Sequence, residues 1–339
     1  MRYFNTFVNV FKNDRKSIQP IPSMFKRIIY TLVLVSVSHL LSAQENSLYR
    51  NYMVNNFYNL NSAAAGYDGS FISQVTISKK WLGISDSPSS QVLSNSIRLG
   101  AKDYYDKNNY VYKPNSNFIN RVGLGLTVFN ESNGPIRHTG VLLAYAYHIP
   151  LRTGQLSFGL SAVIAQYGLN TGKFKPIEVN DPTLYYTTSA IVPDANFGML
   201  YYNRNLFAGI SINGLINLNR VMDHRNSTPA ITACAGYKIG VTSEVKVEPS
   251  VFAIRDGQKK FSTDINAKLY YTNRYWVLLS YQSSGGFQGG FAINIKTGLQ
   301  LSYAVAVSTS GLANRFQNSQ NISLRADISA LTQRPSRKR

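Results

Sequence analysis

The sequence predicts an all-β chain: a transmembrane antiparallel β-barrel of about 14 strands behind an extended N-terminal lead-in. Three observations predict it. The stretch 121–169 reads as three alternating strands joined by two turns. The 339-residue chain is aromatic-rich (12%, with 23 Tyr) and poor in charge (15%). Its mean hydropathy of −0.15 is not that of a helical membrane protein. The one candidate targeting segment, 28–41, is too short to span a bilayer, and the chain beyond it has no hydrophobic helix. A sheet with a lipid face and a wet face accounts for all three. A large soluble β-sandwich is the competing reading, because alternation is a weak signal in any single segment.

The first elements concern export. Met24-Phe25-Lys26-Arg27 opens a charged region, 28–41 is mostly apolar, and Ser42-Ala43 precedes Gln44. This is the layout of a secretory signal peptide over 24–43, cut after Ala43. Leu41 departs from the small residue preferred three places before the cut, so the site can shift by a residue or two. Residues 1–23 precede the charged region and are expected to be a non-native extension, with translation starting at Met24; sequencing the unprocessed precursor tests this. Residues 44–70 form the lead-in, aromatic and Asn-rich, ending at the small-residue turn Ala63-Ala64-Ala65-Gly66. An exported chain with long alternating strands points to an outer membrane.

The barrel is expected over 71–329. The first strand is 71–82. The second, 91–100, sets Val92, Ser94 and Ser96 against Leu93, Asn95, Ile97 and Leu99. A long polar segment, 101–118, follows. The third strand alternates Val122, Leu124, Leu126 and Val128 with Gly123, Gly125, Thr127 and Phe129, and Asn133-Gly134-Pro135 turns it. The fourth is 138–151, and the fifth runs from Leu156 through Ile164. After the long segment 170–192 come strands at 193–203 and 206–215, then 217–228, then strands at 229–239 and 242–255. Strands at 261–271, 274–283, 287–296 and 299–308 are separated by short polar breaks that suit hairpins. The last strand is 322–328, and a basic tail, 330–339, is expected to be solvated. Strands of this length suit a bilayer, which a tilted strand crosses in about 9–11 residues.

Glycines inside strands (Gly123, Gly125, Gly159, Gly198, Gly209, Gly236, Gly289, Gly290) are expected to let strands bend and to leave room for inward side chains. Trp81, Tyr145, Tyr147, Tyr201, Tyr202, Tyr270, Tyr271, Tyr275, Trp276, Tyr281 and Tyr303 are candidates for an interfacial girdle; ordinary β-propensity is the alternative.

The net charge is +19. Arg2, Lys12, Arg15, Lys16, Lys26 and Arg27 against Asp14 put +5 of it in residues 1–43, leaving +14 beyond. The cations are scattered and form no nucleic-acid motif, so anionic headgroups or an acidic partner fit better than nucleic acid. Catalytic constellations are not found. The histidines His138, His148 and His224 are isolated in sequence, and no metal, phosphate-loop or nucleophile-elbow motif occurs. Cys234 reads as a buried or lipid-facing filler. An inward Glu248 or Asp264 paired with Lys246 or Lys268 across the lumen is a structural or pore-lining possibility. No cofactor, metal or catalytic residue is expected.

The segment 125–151, followed by Leu156-Ser157-Phe158-Gly159-Leu160-Ser161, resembles the signature of the PorP/SprF family. These are outer-membrane proteins of the type IX secretion and gliding machinery of Bacteroidetes. Asn61 to Gly66 is similar to the family's N-P-A-x-A-G, with Ser62 where the family has proline. Lys80-Trp81-Leu82-Gly83-Ile84 and Ser87-Pro88-Ser89-Ser90-Gln91 resemble its Q-W-x-G-I and A-P-x-T-Q. The resemblance spans about residues 48–328. It marks Asn61, Gly66, Trp81, Gly83, Pro88, Gly134, Pro135, Tyr145, Tyr147, Pro150, Pro193, Asp194, Gly198, Gly236, Tyr237 and Pro249 as structural or partner-binding positions. It implies a non-enzymatic barrel that supports export or surface anchoring of a large adhesin. The implied partners are outer-membrane lipid, the adhesin and periplasmic ring components; no nucleic acid and no small-molecule cofactor is implied. A porin or channel for small or hydrophobic solutes is the alternative. An outer-membrane hydrolase, which would need His148 beside a serine, is a third. The long polar segments 101–118, 170–192 and 217–228 are the candidate contact surfaces.

Overall fold

The computed structural model describes residues 57–83, 85–99, 121–169, 189–216, 228–272, 274–283, 286–308 and 318–332. The expected extension and signal peptide, residues 44–56 of the lead-in, residues 333–339 of the basic tail and most of the three long polar segments lie outside these residues; the start of the tail belongs to a short helix, Ile328–Thr332. The described residues contain β1 (Ile72–Lys79), β2 (Ser89–Arg98), β3 (Val122–Asn133), β4 (Ile136–Pro150), β5 (Gln155–Leu169), β6 (Ser189–Tyr202), β7 (Leu206–Asn213) and β8 (Ala230–Tyr237). They continue with β9 (Ile239–Gly240), β10 (Val245–Arg255), β11 (Phe261–Tyr271), β12 (Tyr275–Gln282), β13 (Gly286–Lys296), β14 (Leu299–Ser308) and β15 (Asn318–Asp327).

β9 is a two-residue rung on β10. Each of the other strands pairs antiparallel with its neighbours in chain order. β15 then returns to β1, in register from Ile72↔Asp327 to Lys79↔Gln320. The sheet is therefore a closed barrel of 14 strands among the described residues. Closure leaves no unpaired edge, the condition for a sheet to sit in hydrocarbon. Among the described residues, no helix is long and apolar enough to cross a membrane.

The two faces of the wall exclude the sandwich reading. Leu126, Leu143, Leu160, Ile164, Val277, Leu279, Phe291 and Leu324 all point outward and are exposed. Their alternating neighbours Thr127, Ser157, Ser161, Ser280 and Ser323 point inward and are buried. A soluble sandwich buries the apolar face. Here the apolar face is outside and the polar face inside, as in a membrane barrel.

The predicted strands match closely, and 261–271 and 299–308 coincide residue for residue. Two starts differ by four residues. β6 starts at Ser189 rather than Pro193, so the end of the expected polar segment belongs to the wall. Pairing with β5 runs unbroken from Gln155↔Tyr202 to Gly168↔Ser189 and outweighs the one ladder bond that Pro193 cannot donate. β15 starts at Asn318 rather than Ile322, because Asn318–Asn321 still pair with β14. The girdle expectation is corrected for Tyr202, Tyr270 and Trp276, which sit at inward positions; Trp276 and Tyr202 are buried. Tyr145, Tyr237, Tyr271 and Tyr275 are exposed on the outer face.

The β3–β4 hairpin illustrates the local chemistry. Asn133 pairs with Ile136, leaving Gly134 and Pro135 as a two-residue turn, with Gly134 at φ +60. Hairpins of this length require positive φ, which glycine adopts freely. A Cβ at Gly134 would meet nothing within 4 Å. Gly134→Ala should therefore cost only the backbone term, about 1–2 kcal/mol, read as a shift of the urea midpoint for refolding into lipid vesicles.

Candidate functional site: the luminal seat of the lead-in

The lead-in does not lie outside the barrel. Residues 57–66 run along the inner faces of β2–β7. Phe57–Leu60 makes one helical turn (α1), and Ser62–Ala64 makes a 3-10 turn. Asn61 caps that turn: its backbone is extended, and its Oδ1 accepts the Ala63 amide at 3.0 Å. Small side chains at 62–65 then let the backbone lie close to the wall.

The wall is opened to receive it. Gly123, Gly125, Gly159, Gly198 and Gly209 sit on β3, β5, β6 and β7 where the lead-in passes. A Cβ at Gly125 would come within 2.9 Å of the Tyr58 ring, and one at Gly209 within 3.0 Å of Asn61 Nδ2. At Gly123, Gly159 and Gly198 it would overlap Ala65, the Ser62–Ala63 backbone and Asn61 Oδ1 respectively. The expected room for inward side chains is thus room for a chain segment.

Hydrogen bonds fix the register. Asn61 Nδ2 donates to the carbonyls of Met199 (3.1 Å) and Ile210 (3.3 Å). Ser211 Oγ donates to Leu60 O at 2.8 Å, and Ser157 Oγ to Ala63 O at 2.6 Å. Ser62 Oγ donates to Ser161 Oγ at 2.9 Å, and Ser96 Oγ accepts the Gly66 amide at 2.8 Å. The Tyr58 hydroxyl lies 2.7 Å from Thr127 Oγ1 and within reach of the Leu126 and Asn95 carbonyls. Around these bonds Tyr58, Ala63, Ala64 and Ala65 pack against Leu142, Ala144, Ala146 and Leu200. Farther along, Leu60 packs with Cys234 and Phe252, and Phe57 stacks edge-on to Phe207 with centroids 5.5 Å apart. Cys234 is thus a buried luminal filler. Tyr58→Phe keeps the ring and removes the hydroxyl; it should destabilise the barrel by about 1–2 kcal/mol, measured by urea unfolding in detergent micelles.

Where the lead-in leaves the lumen, a buried polar knot ties four strands. His148 is fully buried. Its Nε2 donates to Ala65 O at 2.8 Å, since a carbonyl only accepts. Its Nδ1 faces the Tyr202 hydroxyl at 2.8 Å. Arg98 donates to that hydroxyl (3.1 Å) and to Gln155 Oε1 (3.0 Å). Both ring nitrogens of His148 are thereby engaged in the seat, and Ser157, opposite it on β5, donates to Ala63 O. Among the described residues, no group of His, Cys, Asp and Glu could hold a metal.

A second inward cluster lies across the lumen. Glu248 pairs with Lys238 at 3.0 Å, not with the expected Lys246 or Lys268. Lys268 instead lies over the rings of Trp276 (4.2 Å) and Tyr270 (5.5 Å). Arg325 pairs with Asp68 at 2.9 Å.

Of the positions singled out in the sequence, Asn61, Gly66 and Gly198 meet at the seat. Gly66 has φ +73 and abuts the Gly123 backbone. Gly236 leaves room for the Phe207 ring. The others lie elsewhere. Trp81, Gly83 and Pro88 are in the β1–β2 connection, and Gly134 and Pro135 in the β3–β4 turn; Gly134 N donates to Asp86 O at 3.2 Å, joining the two. Tyr145, Pro193, Tyr237 and Pro249 are exposed on the outer face. The Tyr147 hydroxyl accepts from Arg121 at 3.4 Å, and Pro150 ends β4. Asp194 Oδ1 accepts the amides of Ala195 (2.7 Å) and Ile216 (3.1 Å). Tyr58, Ser96, Thr127, His148, Ser157 and Ser211 were not legible as site residues. Apart from Tyr58, which belongs to the lead-in, their only signal is small or polar side chains at inward positions of neighbouring strands.

A family model described as type IX secretion system membrane protein PorP/SprF matches residues 41–326. No curated protein matches the chain. Among solved structures, the chain is similar to the outer membrane protein Omp33 of Acinetobacter baumannii: 10% identity, 76% of this chain, 97% of that one, TM-score 0.45. It is similar to the CymD monoaromatic hydrocarbon channel at 11% identity, covering 85% of this chain and 94% of that one, TM-score 0.45. A triple-mutant porin of Rhodopseudomonas blastica matches at 8% identity over 76% of this chain and 98% of that one, TM-score 0.34.

Proposed function

Because the chain belongs to the PorP/SprF family of type IX secretion system membrane proteins, we propose that it supports export or surface anchoring of a large adhesin through protein–protein contacts. It is an outer-membrane barrel and a membrane component of that system. The observation that carries the contact-based reading is the luminal seat. A chain segment locked to the wall by side-chain hydrogen bonds on six strands narrows the lumen, which favours contact over solute passage.

Strand parity gives the contacts an orientation. Both ends of the barrel sequence, Ile72 and Asp327, lie at one end of the wall. The connections 151–154, 203–205, 238–244, 272–274 and 297–298 also turn there, and all are short. Short turns characterise the periplasmic end of such barrels. The longer connections 170–188, 214–229 and 309–317 join strands at the opposite, outward end. Segment 99–121 is the exception: it connects strands at the periplasmic end. In this reading the outward segments meet the adhesin and 99–121 meets periplasmic ring components. Deleting the gene and surveying surface adhesins tests the role. Loss of one large adhesin from the surface supports it; unchanged display in a strain without a paralogue refutes it. Replacing 101–118 alone should weaken ring association and spare the barrel.

A further inference from the structure

The outer face of β2–β6 is not evenly convex. A groove of about 690 Å³ is cut into it, on the lipid side of the wall that seats the lead-in. Leu124, Leu143, Tyr145 and Leu160 form its sides and are all exposed. Its floor is lowered by the small side chains Ala162 and Ala195. Nearly all its surface is apolar. Asn95 lines it from an outward position between Leu93 and Ile97. Among the described residues, its side-chain amide has no hydrogen-bond partner. A lone amide on a lipid-facing surface is costly unless a ligand satisfies it.

The groove occupies the half of the wall towards Arg98, Val122, Pro150 and Gln155, the strand ends nearest both chain ends. It is continuous with the belt that meets the bilayer, so its occupant comes from the membrane. An apolar channel with a side-chain amide near its interfacial end matches an acyl chain joined to a glycerol ester. We propose that this groove binds one phospholipid of the periplasmic leaflet, its acyl chain between the row Leu124–Tyr145–Leu160 and the row Leu126–Leu143–Ala162 and its ester oxygen accepting from the Asn95 amide. The leaflet assignment rests on the orientation given above; the site itself does not.

The test is native mass spectrometry of the purified barrel, released from detergent after exposure to palmitoyl-oleoyl phosphatidylethanolamine and lipid A in equal amounts. The wild type should retain one phospholipid. Ala162→Trp fills the floor and should lower the retained fraction at least about tenfold. Asn95→Leu removes one hydrogen bond and should lower it about fivefold. Ile191→Trp, which adds the same bulk at an exposed outward position away from the groove, should leave it unchanged. Ala162→Trp retaining as much phospholipid as the wild type overturns the site, and so does retention of lipid A in preference to phospholipid. Neither result touches the secretion role, which is read from adhesin display in cells.

Discussion

Gly159→Val is expected to unseat the lead-in and destabilise the barrel by about 3 kcal/mol. The new side chain would occupy the space of the Ser62–Ala63 backbone, which cannot shift without breaking its bonds to Ser157 and Ser161 of the same strand. Rigid backbone on both sides of the clash makes displacement of the segment the cheapest relief. The bonds of Asn61 to Met199 and Ile210, and of His148 to Ala65, would go with it. Two measurements check this. Protease should cut within 57–66 in Gly159→Val and not in the wild type. Asn61→Ala, destabilising on its own, should add almost nothing in the Gly159→Val background, because residues acting on one seat are not additive. Full additivity would mean that Asn61 and Gly159 do not share a seat.

One strand over, Leu143→Arg should cost about 2–4 kcal/mol for the opposite reason. Leu143 is the middle residue of the 15-residue β4 and is 58% exposed on the outer face. Its strand neighbours Leu126 and Ala162 offer a guanidinium nothing to bond. The penalty should appear on refolding into lipid vesicles and shrink in detergent micelles, where water reaches the outer face. Equal stability in both media would place Leu143 outside the hydrocarbon and contradict the reading of the two faces.

The barrel was legible because period-two alternation is local. Val122 to Phe129 already states which side chains share a face, and a closed sheet repeats that statement strand after strand. Boundaries failed where chemistry at one position misled. Pro193 looks like a strand start because it lacks an N–H, and Asn318–Asn321 looks like a turn because it is polar. Both belong to the wall, since neighbouring strands supply the pairing that one sequence window does not show. The seat was only half legible. Asn61, Gly66 and Gly198 emerged through the family resemblance, and the strand glycines were noticed singly. Their common purpose depends on the lead-in folding back against strands some 60 to 150 positions downstream in the chain, as in the contacts of Tyr58 with Thr127 and of Asn61 with Ile210. Alternation carries no information about such a return. His148 is the plainest case: isolated in sequence, it is the residue that closes the lead-in's exit by binding Ala65.

With the lead-in held in the lumen, the protein works by contact rather than by passing solutes. Planar-bilayer conductance tests this most directly, with wild type and Gly159→Val compared in the same lipid. The wild type should be closed, and Gly159→Val should show openings that appear as the lead-in leaves its seat. A large, steady open pore in the wild type would contradict it.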